Sequence, residues 1–221
     1  MVWRNSEHYP DPTAGAALRH IAREEARRAM NEGKRFERDF KASVPADAWC
    51  YRLRDSPVSY YGGSGAEGIR FAQDNLCDFV LYRAPTLYLL ELKTVGTPSA
   101  ALTSLFGKFD PEKRCYKKQR HLQDMAKAEQ AATGLRALVV LCYRRTGHTY
   151  AVPARDVLEW VERAASGGRK SIPEEFCIDH GTPVAARRLR VNWRYDVAGM
   201  MEKLGGCYHS EENYDAQELE I

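Results

Sequence analysis

The chain has 221 residues, of which 44% are hydrophobic and 29% charged, so a full apolar core is within reach. Its longest apolar run, residues 137–143, is far too short to cross a bilayer, which excludes a membrane-spanning helix. The six cysteines are scattered without a Cys-x-x-Cys pair, so their spacing supports no zinc site. With no signal peptide after Met1, we expect a reduced, cytoplasmic setting.

Charge is distributed unevenly along the chain. The net charge is +3, but residues 205–221 contain five acidic residues and no Lys or Arg, so the rest carries +8. A moderately basic body with an acidic tail suits a polyanionic partner. An ordinary mixed surface followed by a disordered end explains the same distribution, and for the tail alone we prefer that interpretation.

Two helical segments are predicted at the beginning of the chain. Asp11-Pro12-Thr13 opens the first, whose apolar stripe continues to Met30. Gly33 weakens or breaks it, and the second segment continues through Phe36, Phe40 and Val44. Glu37 falls near the inward face of that segment, although a solvated helical Glu explains its position nearly as well.

Residues 49–54 (WCYRLR) predict the first strand, and a segment rich in Gly, Ser and Tyr follows at 55–75. Residues 63–68 match G-x-G-x-x-G, but no strand precedes them directly and no helix opens after them. We therefore reject a dinucleotide site. The segment is better interpreted as a mobile loop in which Arg70 is available to contact DNA.

The central feature is a predicted hairpin with strands at 76–82 and 87–93. Asp78 lies near the start of its first strand, whereas Glu91 and Lys93 end its second strand and share one face. Antiparallel pairing brings Asp78 next to them. Two carboxylates and one ammonium then meet in an apolar setting. Such a cluster is costly unless its charges are paired or hold a metal.

Beyond Lys93 we expect a loop over residues 94–109. Asp110-Pro111-Glu112 then predicts the start of a helix that runs to about residue 132. Gln119 falls on its core-facing stripe, where its amide meets either the charged cluster or water. Basic residues occupy the same turns and either contact DNA phosphates or form a solvated face. They are Lys113, Lys117, Lys118 and Arg120.

The remaining pattern completes an α/β fold. Residues 135–143 and 148–152 predict strands, Pro153 begins a helix, residues 170–178 and 187–195 have strand-like patterns, and residues 197–204 predict a short helix. The order predicts an αβββαβ core with a mixed sheet and a small C-terminal β/α appendage. We divide the chain into an N-terminal helical extension (1–32), the core (33–165) and the appendage with its acidic tail (166–221).

The spacing of an Asp, twelve residues and Glu-x-Lys resembles the signature of the PD-(D/E)xK nuclease superfamily, which has a restriction-endonuclease-like core. The resemblance implies that Asp78 and Glu91 bind Mg²⁺, or Mn²⁺ in its place, with the Leu92 backbone carbonyl as a further ligand. It implies that Lys93 activates water, and that Glu37 and Gln119 assist. Cys77 stands where the family has proline.

Within that superfamily the chain is similar to RecU-type Holliday junction resolvases, especially shorter phage-encoded relatives. The similarity covers roughly residues 33–161 and rests on Gly33–Glu37, Asn75–Phe79, Glu91–Lys93 and Lys118-Gln119. It implies a bacterial or phage-encoded homodimer that cuts opposed strands of a four-way DNA junction. Another nuclease of this fold and a non-catalytic DNA-binding module are the alternatives.

Overall fold

A computed structural model describes residues 31–53 and 75–205. The predicted helix over 11–30, the glycine-rich segment with Arg70, and the acidic tail lie outside these residues. Helix α1 covers residues 31–41 of the described part, so it continues through Gly33 without the predicted break and ends before Val44. It is followed by three strands: β1 (Trp49–Arg52), β2 (Phe79–Arg83) and β3 (Thr86–Val95).

The later elements follow in close succession. They are β4 (Ser99–Ala101), α2 (Leu102–Phe106), β5 (Phe109–Asp110), β6 (Cys115–Tyr116), α3 (Gln119–Ala131), β7 (Leu135–Tyr143), β8 (Thr149–Pro153), α4 (Ala154–Gly167), β9 (Ser171–Pro173), α5 (Glu174–His180), β10 (Thr182–Pro183), β11 (Ala186–Arg188), β12 (Trp193–Tyr195) and α6 (Val197–Gly205).

A six-stranded mixed sheet organises these elements in the order β1-β2-β3-β7-β8-β10. Strands β1, β2 and β3 are antiparallel neighbours, β7 runs parallel to β3, and β8 and β10 add antiparallel strands beyond it. Helix α3 makes the crossover that a parallel pair requires. Helix α1, the three strands, α3 and β7 therefore confirm the predicted αβββαβ core.

Each face of the sheet packs against its own layer. Leu89, Val95 and the odd-numbered residues of β7 pack with α3 and α4, in a core that includes Leu122 and Val157. Leu90, Leu92 and the even-numbered residues of β7 pack on the other face with Phe36 and Phe40 of α1 and with α6. Alternation along β3 thereby decides which layer each side chain meets.

The predicted helix start at Asp110 is wrong. Asp110 Oδ1 does accept hydrogen bonds from the backbone N–H groups of Glu112 and Lys113, as an N-cap would. However, Arg114 has a φ of 49°, and β5 and β6 pair as a short hairpin around this turn. Helix α3 begins only at Gln119. Local capping chemistry is the same in a turn and at a helix start, so it does not distinguish them.

Three other predicted segments differ from the structure. Residues 94–109 are not a loop, because they complete β3 and then form β4, α2 and the start of β5. The strand predicted over 170–178 is the short β9 followed by helix α5. The strand predicted over 187–195 is instead a hairpin of β11 and β12, paired antiparallel through Ala186–Tyr195 and Arg188–Trp193. The polar–apolar alternation over these residues correctly indicated strand structure, but it did not indicate the turn that divides it into two strands.

The C-terminal hairpin is fastened to α1. Buried Asp39 accepts hydrogen bonds from the Arg38 guanidinium and from the backbone N–H of Trp193. Ser43 Oγ accepts another from the backbone N–H of Tyr195. These contacts hold α1 in place over the sheet. No helix within residues 31–53 and 75–205 is long and apolar enough to cross a membrane.

Candidate active site

Asp78 lies one residue before β2 and is held by the main chain on both sides. Its N–H donates to the Leu90 carbonyl at 3.0 Å, and its own carbonyl accepts from the Leu53 N–H at 3.0 Å. Its side-chain Oδ2 accepts from the Leu92 N–H at 2.8 Å. The carboxylate is therefore positioned against the segment of β3 that contains Glu91 and Lys93.

Glu91 and Lys93 lie between Leu89 and Val95 on the α3–α4 face of β3, since successive side chains alternate. Lys93 Nζ and Glu91 Oε1 are 2.5 Å apart, and the two side chains are only 21% and 12% exposed. We call Asp78, Glu91 and Lys93 the charged cluster. The structure brings these three predicted residues together in a half-buried setting.

The charged cluster is short of positive charge. Burial and, after it, the neighbouring Glu91 carboxylate raise the pKa of Asp78 to about 6, although Lys93 and the Leu92 hydrogen bond act in the opposite direction. Two carboxylates thus compete for one ammonium in a poorly hydrated place. A group with additional positive charge would relieve that repulsion.

Lys93 keeps its proton in this setting. Burial lowers the pKa of its ammonium, but the attraction of Glu91 and Asp78 outweighs burial, so the pKa lies above the ordinary value. A lysine that stays charged is no general base. It stabilises negative charge on its neighbours, or on a phosphate, and orients a water molecule by donating hydrogen bonds.

Glu37 of α1 pairs with Arg52 of β1 and is mostly buried. Its negative charge raises the pKa values of both Asp78 and Lys93, so it contributes to the field of the charged cluster. Both residues line a groove of about 710 Å³ that we call the basic groove. Its other lining residues are Lys34, Arg38, Lys41, Cys50, Tyr51 and Phe79.

Gln119 is only 4% exposed, and its side-chain oxygen accepts a hydrogen bond from the backbone N–H of Tyr116 at 3.1 Å. That contact braces the turn before α3. Gln119 also lines a cleft of about 790 Å³ beneath the β5–β6 hairpin, which we call the basic cleft. Three of the predicted DNA-contacting residues line it too, namely Lys113, Lys117 and Arg120, as do Lys108 and Lys127. Lys118 is exposed at the start of α3.

Comparisons with known proteins add little to this geometry. No protein-family model matches the chain, and no curated protein matches it. Several solved structures do match the chain. Among them is the 1.6 Å structure of Hjc, a Holliday junction resolvase from the archaeal hyperthermophile Archaeoglobus fulgidus. It is 20% identical, the match covers 68% of this chain and 95% of Hjc, and the TM-score is 0.41. The fold follows from the order of the strands in the sheet.

The donor set of the charged cluster fits a hard divalent cation. Within the described residues no group of three or more His, Cys, Asp and Glu side chains is placed to hold a metal. Burial and the nearby acids raise the pKa of Cys77 to about 12, so its thiol stays neutral and is no ligand. Two carboxylates with a main-chain carbonyl suit Mg²⁺, which keeps several of its waters.

Sequence reasoning missed the cation that pairs with Glu37 and the exposed rings beside it. The sequence places Arg52 only on a strand, and its ion pair with Glu37 forms because α1 packs beside β1. The alternation in residues 49–54 did contain a signal, since Trp49 and Tyr51 share one face and Cys50 and Arg52 the other. In the structure Trp49 and Tyr51 are exposed.

Proposed function

We propose that this chain is a metal-dependent DNA endonuclease that hydrolyses phosphodiester bonds. The observation that carries the proposal is the charged cluster. Asp78 and Glu91, two half-buried carboxylates, lie beside an ammonium that stays charged, on one face of neighbouring strands. Burial and the Glu91 carboxylate raise the pKa of Asp78, so the two acids have only one ammonium between them, and a bound cation would supply the further positive charge.

In this proposal Asp78 and Glu91 hold Mg²⁺, or Mn²⁺ in its place, with the Leu92 backbone carbonyl as a further ligand. Bound there, the cation supplies a more acidic water and stabilises charge on the phosphate oxygens. Asp78 and Glu91 need to be ionised to bind it. Lys93 donates hydrogen bonds to the attacking water or to the scissile phosphate, where its positive charge favours the more negative transition state.

Two further predicted residues act on the cluster from outside it. Glu37 adds negative charge near Asp78, which favours cation binding, and Arg52 fixes the Glu37 side chain. Gln119 assists by holding the turn that leads into α3, since its side-chain oxygen is committed to the Tyr116 N–H. Both are positioning residues in this proposal.

The DNA backbone is expected to lie along the basic cleft and the basic groove. Lys113, Lys117, Lys118 and Arg120 are all exposed and neutralise phosphates without reading sequence. A four-way junction is the substrate we favour, and a homodimer is the form that cuts two opposed strands. Both come from the resemblance of the motif segments to RecU-type resolvases, which also implies action inside a bacterial or phage-infected cell.

The experiment compares a synthetic four-way junction with linear duplex and single-stranded DNA, each with Mg²⁺, Mn²⁺ or EDTA. Paired nicks in the junction alone support the junction-resolving activity and the dimer. Metal-dependent cutting of all three substrates supports the nuclease but contradicts junction selectivity. Tight binding without cutting in any metal contradicts the enzyme and indicates a DNA-binding module.

A further inference from the structure

Three aromatic side chains are exposed together at the edge of the central sheet. Trp49 and Tyr51 of β1 are 56% and 53% exposed, and Tyr82 of β2 is 45% exposed. We call them the aromatic platform. The centroids of the Trp49 and Tyr51 rings lie 5.8 Å apart and the ring planes are nearly parallel, at an interplanar angle of 5°. Rings of this size are ordinarily buried in a core or at an interface.

The sheet register fixes the side on which the aromatic platform lies. Trp49 pairs with Tyr82 and Tyr51 pairs with Val80. Val80 and Leu53 pack against the core formed with α3 and α4. Since every second residue of a strand shares a face, the platform lies on the α3–α4 face, which is also the face of Glu91 and Lys93.

The aromatic platform and the charged cluster are close to each other on that face. Val80 pairs with both Tyr51 and Leu89, and Glu91 is the next same-face residue after Leu89. Two strand spacings across and one two-residue step along the strand give about 12 Å between the backbones at Tyr51 and Glu91. One DNA strand is long enough to reach both.

Positive charge adjoins the aromatic platform. Tyr51 belongs to the platform and also lines the basic groove, where four cationic side chains lie on the far side of β1. They are Lys34, Arg38, Lys41 and Arg52. Exposed aromatic rings beside a basic groove are the combination that binds unpaired strands, because bases stack on the rings while cations follow the phosphates.

A second copy of the chain is a poorer fit to this surface. Three half-exposed rings offer on the order of 300 Å² of apolar surface. A stable protein–protein interface buries about 800 Å² on each partner. In a symmetric dimer, the cations of the basic groove next to Tyr51 would also face the same cations of the second copy, and this like-charge repulsion is unfavourable.

We propose that the aromatic platform stacks unpaired nucleobases of the DNA strand that enters the charged cluster. The proposal rests on the proposed nuclease function, because the cluster supplies the reason for a DNA strand to lie on this face. It adds a feature of the substrate. The preferred DNA has unpaired bases about 12 Å from the phosphate that is cut, as at a branch point, a flap or a gap. Fully paired duplex does not engage the rings.

The test measures binding of the full chain to short oligothymidylate and to a paired duplex, in EDTA so that no strand is cut. We expect Trp49→Ala/Tyr51→Ala to weaken single-strand binding about tenfold, which is typical of losing a base-stacking aromatic. Duplex binding, which depends on the cations rather than on the rings, falls much less. The ring-preserving Trp49→Phe/Tyr51→Phe variant retains single-strand binding. Ile178→Ala, which removes an exposed apolar side chain from α5, is the matched control and changes neither.

Four results would overturn the platform. They are a wild-type chain that binds no single strand, unchanged single-strand binding in the Ala variant, an equal loss for both substrates, and a wild-type dimer that the Ala variant converts to monomer in sedimentation. Metal-dependent cleavage by the wild type, measured in parallel, tests the proposed function separately. Stacking without cleavage contradicts only the proposed nuclease function. Cleavage without stacking contradicts only the proposed role of the aromatic platform.

Discussion

Asp78 Oδ2 accepts a hydrogen bond from the backbone N–H of Leu92 at 2.8 Å. The bond fastens the acid at the start of β2 to the residue between Glu91 and Lys93. Because a rigid strand supplies the donor, the carboxylate is oriented without a flexible partner side chain. The arrangement places a second negative charge beside Glu91, and burial together with this repulsion raises the pKa of Asp78.

We first predict that Asp78→Asn stabilises the metal-free protein while abolishing cleavage. The folded state binds the Asp78 proton more tightly than the unfolded state, because the pKa rises from 3.8 to about 6. Stability therefore falls as pH rises through this window. Asn keeps an acceptor for the Leu92 N–H and removes the charge, so we expect a gain on the order of 1–2 kcal/mol near neutral pH.

Urea unfolding in EDTA measures this effect. The gain should shrink as pH falls through about 6 and vanish only well below 3.8, where Asp78 is protonated in both states. Asp179→Asn, at an exposed position of α5, is the control and changes stability little. A destabilised Asp78→Asn variant at neutral pH would show that the carboxylate is a favourable structural pair.

A second prediction concerns the cation. Mg²⁺ should stabilise the wild type, by about 2.7 kcal/mol when its concentration is 100 times its Kd. It should not stabilise Asp78→Asn or Glu91→Gln. Because protons compete for Asp78, binding should weaken as pH falls below about 6. Unfolding midpoints with Mg²⁺, compared with KCl at equal ionic strength, measure this. Equal stabilisation of all three proteins would place the cation elsewhere.

Lys93→Ala is predicted to lower the single-turnover cleavage rate at least about 100-fold, the typical loss on removing one group that stabilises a developing oxyanion. Affinity for the junction should stay close to that of the wild type, because Lys93 acts on the water and the scissile phosphate. Gel-shift titration in EDTA supplies the affinity, and Lys203→Ala on the exposed side of α6 is the control. Cleavage at the wild-type rate would remove Lys93 from the mechanism.

A fourth prediction concerns the basic cleft. Lys117→Ala should weaken DNA binding equally for all sequences and reduce the slope of log K against log salt concentration by about 1. Lys203→Ala removes the same charge from α6, outside the basic cleft, and should leave the slope unchanged. Titrations at several salt concentrations measure both. Parallel slopes for wild type and Lys117→Ala would show that this lysine contacts no phosphate.

The contact between α1 and the C-terminal hairpin gives a fifth prediction. Asp39→Ala removes the acceptor for the Trp193 N–H and the partner of Arg38, so it should destabilise the fold by about 2 kcal/mol. Asp39→Asn retains an acceptor and should lose less. Urea midpoints measure both changes. If the two variants lost equal stability, the Arg38 charge and not the Trp193 hydrogen bond would hold the hairpin.

The acid–acid–lysine cluster was predictable because its residues lie on one hairpin. The apolar runs on either side of the Arg83–Thr86 turn and the period-two alternation at Glu91 and Lys93 are local signals, and β2 and β3 pair accordingly. The same applies to β7, whose continuous apolar run indicated a strand covered on both faces. Such patterns can be recognised without knowing which distant residues pack against them.

The predictions failed for two reasons. Some elements are determined by contacts with residues distant in sequence, and others by a backbone conformation that the residue types do not indicate. Asp110 has helix-capping chemistry in a turn that Arg114 closes with positive φ, so helix α3 starts at Gln119. The break between β11 and β12 is set by packing on α1 rather than by their alternating pattern.

By itself the sequence determined the α/β class, the hairpin and the identity of its charged residues, since these follow from short-range periodicity. Only the tertiary structure decided that Glu37 faces Arg52, that Gln119 braces a turn, and that three exposed rings share a face with the charged cluster. Those relationships join residues that the chain brings together only after the sheet has formed and its helices have packed. The free energy of that packing depends on both partners at once, so neither segment encodes it alone.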